Sequence, residues 1–413
     1  MKLISPSSLL LLVLAASAVS PLYAAPRVIS KQEKTSIKKM EKKKKEEERD
    51  RKKIDKDVKK RAAALKKELA KITPIPAPDL KVADSELEGL EKAAEEGDAA
   101  AMVRLGHYLM LHMQPGYQKK AGDHFRHAAE IDQGDAAAWL ALFEYITSPD
   151  GGKAAESLRQ KCCNQAKAAA ENNSCLGAYL AGLMSEDEEE RLELYTKAAY
   201  AGFVPAMRAL GEMMAEAAYQ NQATRHAPMP EDACMWLEFA YRNGDAQAAL
   251  VRSGSSHMYR ATGAPYSTDP AEVEKWLRHS LELALKYERT WYGSIFDHSG
   301  PSKNAYAWGG NRMCLLLQIY SALLEVREFD NRSVSDVTSE CSNTLKKLAA
   351  AQDTEAMAAA IMLSRRWSFW MGIEAANPGI LKDKDWMPKL KQKAASGDAL
   401  AARLVKECNM LPK

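Results

Sequence analysis

A phrase that recurs seven times, most copies weaker than the first, constrains this chain more than any other feature. In its fullest form it reads Lys92-Ala93-Ala94-Glu95-Glu96-Gly97-Asp98-Ala99-Ala100-Ala101-Met102 and runs into Leu105-Gly106-His107-Tyr108. A second good copy joins Lys197-Ala198-Ala199-Tyr200-Ala201-Gly202 to Pro205-Ala206-Met207 and Leu210-Gly211. Weaker copies centre on Gly134, Gly244 and Gly397, and glycine-free ones lie near residues 173 and 352. The junctions stand about 30 to 45 residues apart, and the widest gap, 244 to 352, is 108 residues, or three periods of 36. A fixed period of this size marks a stack of one repeated supersecondary unit.

Each junction reads as the corner of an α-hairpin. Lys-Ala-Ala ends one helix with small side chains that let a neighbour approach closely. Gly supplies the left-handed stop, and Asp caps the next helix. Ser85 with Glu88, and Asp269-Pro270 with Glu272, read as further helix starts. A hairpin is too thin to bury its own apolar face, so neighbours must stack. The expected fold is all-α: an α-solenoid of stacked helical hairpins, preceded by a charged helical arm. Aromatic residues at 7% and abundant alanine agree with close-packed helices rather than a β-rich fold.

Residues 92–108, as Lys-Ala-Ala-x-x-Gly-Asp-x-x-Ala-Met-x-x-Leu-Gly-x-x-Tyr, resemble the strongest motif of the Sel-one-like repeat (SLR) family, relatives of the tetratricopeptide repeats. Residues 197–211 match well, and the resemblance extends over 80–258 and 346–413. The glycine-rich loop that the family places before the second helix of each hairpin is mostly missing here. The resemblance implies a non-catalytic adaptor that holds protein partners on a concave surface, displaying the first helix of each hairpin, often in a cell envelope or secretory lumen.

The N-terminus reads as an export signal over residues 1–24. Met1-Lys2 gives a positive start, Leu9 to Ala16 an apolar core, and small residues offer cleavage after Ala18 or Ala24. The expected location is periplasmic or secreted. Beyond this segment no apolar run approaches the ~20 residues needed to span a bilayer. Seven cysteines, Cys162, Cys163, Cys175, Cys234, Cys314, Cys341 and Cys408, fit an oxidising compartment with zero to three bridges.

Residues 31–72 form a basic arm with 19 Lys/Arg against 9 Asp/Glu, a net +10 inside a chain whose total is +3. Glu41/Lys45, Glu47/Arg51, Glu48/Lys52, Asp55/Lys59 and Asp57/Arg61 stand four apart, acid first, the favourable order for helix-surface pairs. Ile37, Met40, Ile54, Val58, Leu65 and Ile72 fall at heptad core positions, but Lys44, Glu47, Arg51 and Arg61 occupy the others. The arm reads as a solvated charged helix, a weak coiled coil, or a contact for an acidic surface. Without aromatics to stack on bases it is a poor nucleic-acid binder. Pro74, Pro76 and Pro78 make residues 73–79 an extended linker and the expected domain boundary.

Residues 259–345 break the repeat. Helices are expected from Asp269 to about Tyr287 and from about Tyr306 to Val326, with a long loop between them. Trp291, Tyr292, Phe296, Tyr306 and Trp308 crowd five of the chain's 30 aromatics into this stretch, and they are the candidate partner-binding residues. The alternative is a degenerate hairpin whose aromatics fill the core.

Catalytic patterns do not emerge. The chain has no nucleotide-binding glycine loop, Gly-x-Ser-x-Gly, His-Glu-x-x-His or Cys-x-x-Cys, and its Ser-x-x-Lys, Ser36 to Lys39, lies in the arm. His107, His112, His124 and His127 crowd one hairpin, and His124 with His127 and Asp123 or Glu130 is the nearest approach to a metal set. No catalytic residue, metal or cofactor is expected. The competing function is a cell-wall-binding or penicillin-binding, hydrolase-like envelope protein using the loop at 290–312.

Overall fold

The computed structural model describes residues 56–76, 82–253, 269–286, 312–361 and 383–410, with short interruptions inside these ranges. The chain divides into two units, 1–61 and 62–413, and the repeats all belong to the second. Helix α1 spans residues 59–69. The stack then runs through α2 (Leu87–Glu95), α3 (Ala99–His112), α4 (Tyr117–Ile131), α5 (Asp135–Thr147), α6 (Lys153–Glu171), α7 (Cys175–Met184), α8 (Glu188–Tyr200), α9 (Val204–Gln220), α10 (Glu231–Arg242) and α11 (Ala246–Arg252). It continues with α12 (Pro270–Lys286), α13 (Arg312–Phe329), α14 (Ser335–Ala350), α15 (Asp383–Ala395) and α16 (Ala399–Met410). Sequential helices pack side by side from α2 to α14, and α15 pairs with α16. This is the stacked-hairpin solenoid that the period of the phrase requires.

The junction chemistry recurs almost bond for bond. Gly97, Gly202, Gly244 and Gly397 have φ between 93° and 103°, the left-handed region where a side chain is strained. Asn173 takes the same role at φ 66° where the phrase lacks glycine. The amide after each of these residues bonds back across the helix end: Asp98 to Ala93, Ser174 to Ala169, Phe203 to Ala198, Asp245 to Ala240 and Asp398 to Lys393. Those are Schellman closures, which satisfy carbonyls that the helix end would leave orphaned. The next helix is capped as its sequence suggests. Asp98 Oδ1 accepts from the Ala100 and Ala101 amides at 2.8 and 3.1 Å, and Asp245, Asp353 and Asp398 accept from the amides three residues on, at 2.9 Å each. Such caps each contribute about 1 kcal/mol.

Two expected details differ. Gly134 is not left-handed; Asp132 makes the turn instead, accepting from the Gly134 and Ala136 amides at 2.8 and 2.9 Å. Ser85 lies inside a short 3-10 turn, Asp84–Glu86, and Glu86 stands at the start of α2 without a side-chain cap bond.

The second glycine of the phrase serves packing. A Cβ on Gly106 would meet the Phe125 ring at 2.7 Å, and one on Gly211 would meet Leu237 at 2.8 Å. The helix after each junction can therefore sit very close to its neighbour. In α7 every residue from Leu176 to Met184 is buried, and in α9 every residue from Val204 to Glu212 is. The helices before the junctions keep an open face, as α8 does with Glu188, Glu189, Leu192, Glu193, Lys197 and Tyr200. Along α7 and α9 the helix that follows the junction is thus enclosed, and the exposed surface belongs to the helix that precedes each junction.

The proline segment lies against the repeats. Ala62, Leu65 and Leu69 on α1 are buried, and Leu65 and Leu69 join the core that contains Leu90. Beyond them Ile75 donates to the Gly202 carbonyl at 2.8 Å and accepts from the Val204 amide at 3.0 Å. The arm's last heptad residues, Leu65 and Ile72, pack onto the repeats and belong to the second unit.

Burial falls into two cores. One collects residues from Leu65 to Val251, the other from Ala246 to Cys408. They meet on α11, which gives Ala248 and Val251 to the first and Ala246 and Leu250 to the second. Helix α16 also lies against α3. The helices expected around 269–287 and 306–326 appear as α12 and α13, with residues 306–311 outside the described residues. No helix among the described residues is long and apolar enough to cross a membrane.

Candidate interaction surface

The chemistry-bearing side chains of the first hairpins are occupied with folding. His107 is fully enclosed between Phe125 and Trp139, edge-on to both rings at 5.1 and 4.4 Å between centroids. Burial pushes its pKa down to about 3, so it is a neutral core residue. His124 and His127 sit on α4, where burial and then the neighbouring His127 lower the pKa of His124. Asp123, a third ligand by sequence reasoning, is held by Arg126 at 2.8 Å. Among the described residues no group of three or more His, Cys, Asp or Glu could hold a metal. Six of the seven cysteines are described, and no disulfide joins any two of them. Burial raises the Cys162 and Cys341 pKa values to about 11 and 12, which leaves these thiols unreactive.

The most polar point of the interior lies between α9 and α11. Arg208 is 1% exposed; its Nε donates to Asp245 Oδ2 at 3.1 Å and its Nη1 to Glu212 Oε2 at 3.3 Å. Asp245 also caps α11, so a single carboxylate ties the two helices together. Burial raises the Asp245 pKa and Arg208 opposes the rise. Counted from the residue after the left-handed one, Arg208 stands where the first copy of the phrase has Val103 and the α7 copy has Tyr179. Glu212 stands in the place of His107. Both register positions are enclosed in every one of these copies.

On the outside, α1 and the chain that follows it form a groove with the end of α8. Its volume is about 550 Å³, and Glu68, Lys71, Ile72, Thr73, Ile75 and Tyr200 line it. Tyr200 donates to Glu68 Oε2 at 3.0 Å and meets the Trp236 ring edge-on at 5.3 Å. Burial, the Glu68 hydrogen bond and the nearby Asp232 raise the Tyr200 pKa. Sequence reasoning missed this groove. Tyr200 occupies a variable place in the phrase, and the segment that builds the opposite wall reads as a linker. Trp291, Tyr292, Phe296, Tyr306 and Trp308, the residues that sequence reasoning did favour, lie outside the described residues.

No family model matches the sequence, and no curated protein matches it. Among solved structures, the chain is similar to a Sel1 repeat protein from Oxalobacter formigenes at 16% identity and a TM-score of 0.34, over 55% of this chain and 96% of that one. It is also similar to a protective antigen of uropathogenic Escherichia coli strains with an SLR fold, at 18% identity and a TM-score of 0.32, over 79% and 67% of the two chains. The junctions and helix order of this chain themselves define an α-hairpin repeat protein.

Proposed function

We propose that the chain is a non-catalytic scaffold that binds protein partners through its helical-repeat surface, exported to an envelope or secretory space. The observation that carries this reading is the division of labour between helices. Those after the junctions are consumed by stacking, while those before them offer a long, varied outer face. The polar groups found inside have structural work: Arg208 with Asp245 and Glu212 joins two helices, and His107 fills a space among aromatics. Export follows from the apolar segment ahead of the arm. The test is an in-cell crosslinking pull-down with mass spectrometry, run beside a peptidoglycan pull-down and a labelled-penicillin assay. One or two stoichiometric protein partners are expected. Capture of cell-wall fragments or penicillin labelling without protein partners would overturn the scaffold.

A further inference from the structure

Asp245 sits where the two cores are tied together. Its carboxylate accepts from Arg208 on α9 at 3.1 Å and caps α11 through the Ala248 amide at 2.9 Å. The carbonyl of the next residue, Ala246, accepts from the buried Ser280 hydroxyl on α12 at 2.7 Å. Two consecutive residues thus hold α9, which belongs to the first core, and α12, which belongs to the second.

The charges at this point do not balance. Glu212 accepts from the same guanidinium at 3.3 Å, so two carboxylates share one cation, and all three groups are 5% exposed or less. The phenols of Tyr179 on α7 and Tyr195 on α8 face the group, and burial raises both of their pKa values, which keeps them neutral. Arg191, which acts on Tyr195, is committed to the Ser185 carbonyl at 2.6 Å. With both acids ionised, the group therefore carries one surplus negative charge among the described residues. In a site closed to water such a charge is costly, and uptake of a proton relieves it. Burial accordingly raises the Asp245 pKa against Arg208 and the Ala248 amide, and Glu212 adds to the rise.

We propose that Asp245 and Glu212 share one proton, and that this proton operates the joint between the two cores. When it is bound, the Arg208 tie is neutral overall and the start of α11 is held. When it leaves, two carboxylates repel each other across one guanidinium, and α9, α11 and α12 part more readily. The inference goes beyond the scaffold reading and does not depend on it.

The test is amide exchange of the full chain between about pH 4 and about pH 8, corrected for intrinsic rates and read in α9, α11 and α12 relative to α5. A proton held in the closed joint and lost on opening makes the opening constant rise about tenfold per pH unit between the ordinary 3.8 and the raised value. All three helices are expected to share that slope. Asp245→Asn keeps an amide-accepting oxygen but binds no proton, and should flatten it. Glu212→Gln removes the competing carboxylate and should flatten it as well, with helix content by circular dichroism unchanged in both variants. A slope that survives either substitution overturns the shared proton, and a slope confined to α11 overturns the joint. Should a variant lose its helices, the unsubstituted chain still decides, because no slope in α11 relative to α5 sinks the proposal.

Discussion

The two cores that meet on α11 place their charges differently. In the first, Arg208, Glu212 and Asp245 lie inside, at 1%, 5% and 1% exposure. In the second, ions sit at the seams between helices. Glu274 on α12 accepts from Arg327 at 2.7 Å and pairs with Arg332 at 2.8 Å; Arg327 reaches on to Asp336, and Arg278 to Glu340. Both sets tie neighbouring helices, yet their energetics are opposite. An enclosed ion group has already lost its water, so removing one member strands the others. A seam network keeps part of its hydration, gains less, and yields to salt.

The largest effect should come from Asp245→Ala. It removes the α11 cap and one partner of a buried guanidinium, and a loss of about 3–5 kcal/mol is expected. Chemical denaturation measures it. Asp245→Asn keeps the amide-accepting oxygen and should recover about 1 kcal/mol. If Asp245→Ala costs no more than an ordinary surface change, the triad is not a structural tie.

Second in size is a contrast between two junctions of the same sequence pattern. Both Gly97 and Gly202 are left-handed, at φ 93° and 103°. A Cβ on Gly97 meets nothing within 4 Å, but one on Gly202 would collide with the Thr73 carbonyl. Gly97→Ala should therefore cost only the backbone strain, about 1 kcal/mol. Gly202→Ala should cost about 2–3 kcal/mol, because the 73–75 segment must also come away. Equal costs would mean that this segment contributes nothing to the first core.

The same pair shows how far the sequence could be read. Helix order, junctions and caps are local events, so Gly, Asp and the small residues around them report each one directly. Docking of the proline segment is not local: Ile75 finds Gly202 across more than a hundred residues, and nothing near Pro74 signals it. The triad left a fainter trace. Arg208 occupies a position that holds Val103 in the first copy, and a charge there marks an enclosed ion only once the register is known to point inward. The candidate site was the least legible part. Aromatic density drew attention to 290–312, while the groove depends on one tyrosine and a segment whose composition suggests a spacer.

The seam network should respond more weakly and to different variables. Glu274→Gln is expected to cost about 1–2 kcal/mol, and 1 M NaCl should remove a good part of that difference while leaving the Asp245→Ala loss nearly intact. Equal salt sensitivity in the two variants would erase the distinction between the cores.

Acid should separate the halves by the smallest but most diagnostic margin. Burial pushes the Glu274 carboxyl up, but Arg327 and Arg332 outweigh it and hold the pKa below the ordinary 4.5. A carboxyl lowered on folding stabilises above its ordinary value, and that contribution is lost as pH falls through the lowered one. Asp245 runs the other way. Its pKa stands above the ordinary 3.8 because burial outweighs Arg208, so its contribution is complete in acid and declines as pH rises through the raised value. Below pH 4.5, then, α12 and α13 should lose amide-exchange protection before α9 and α11 do, once rates are corrected for intrinsic exchange. Loss in the opposite order would show that the buried triad, not the seam, is the acid-labile tie.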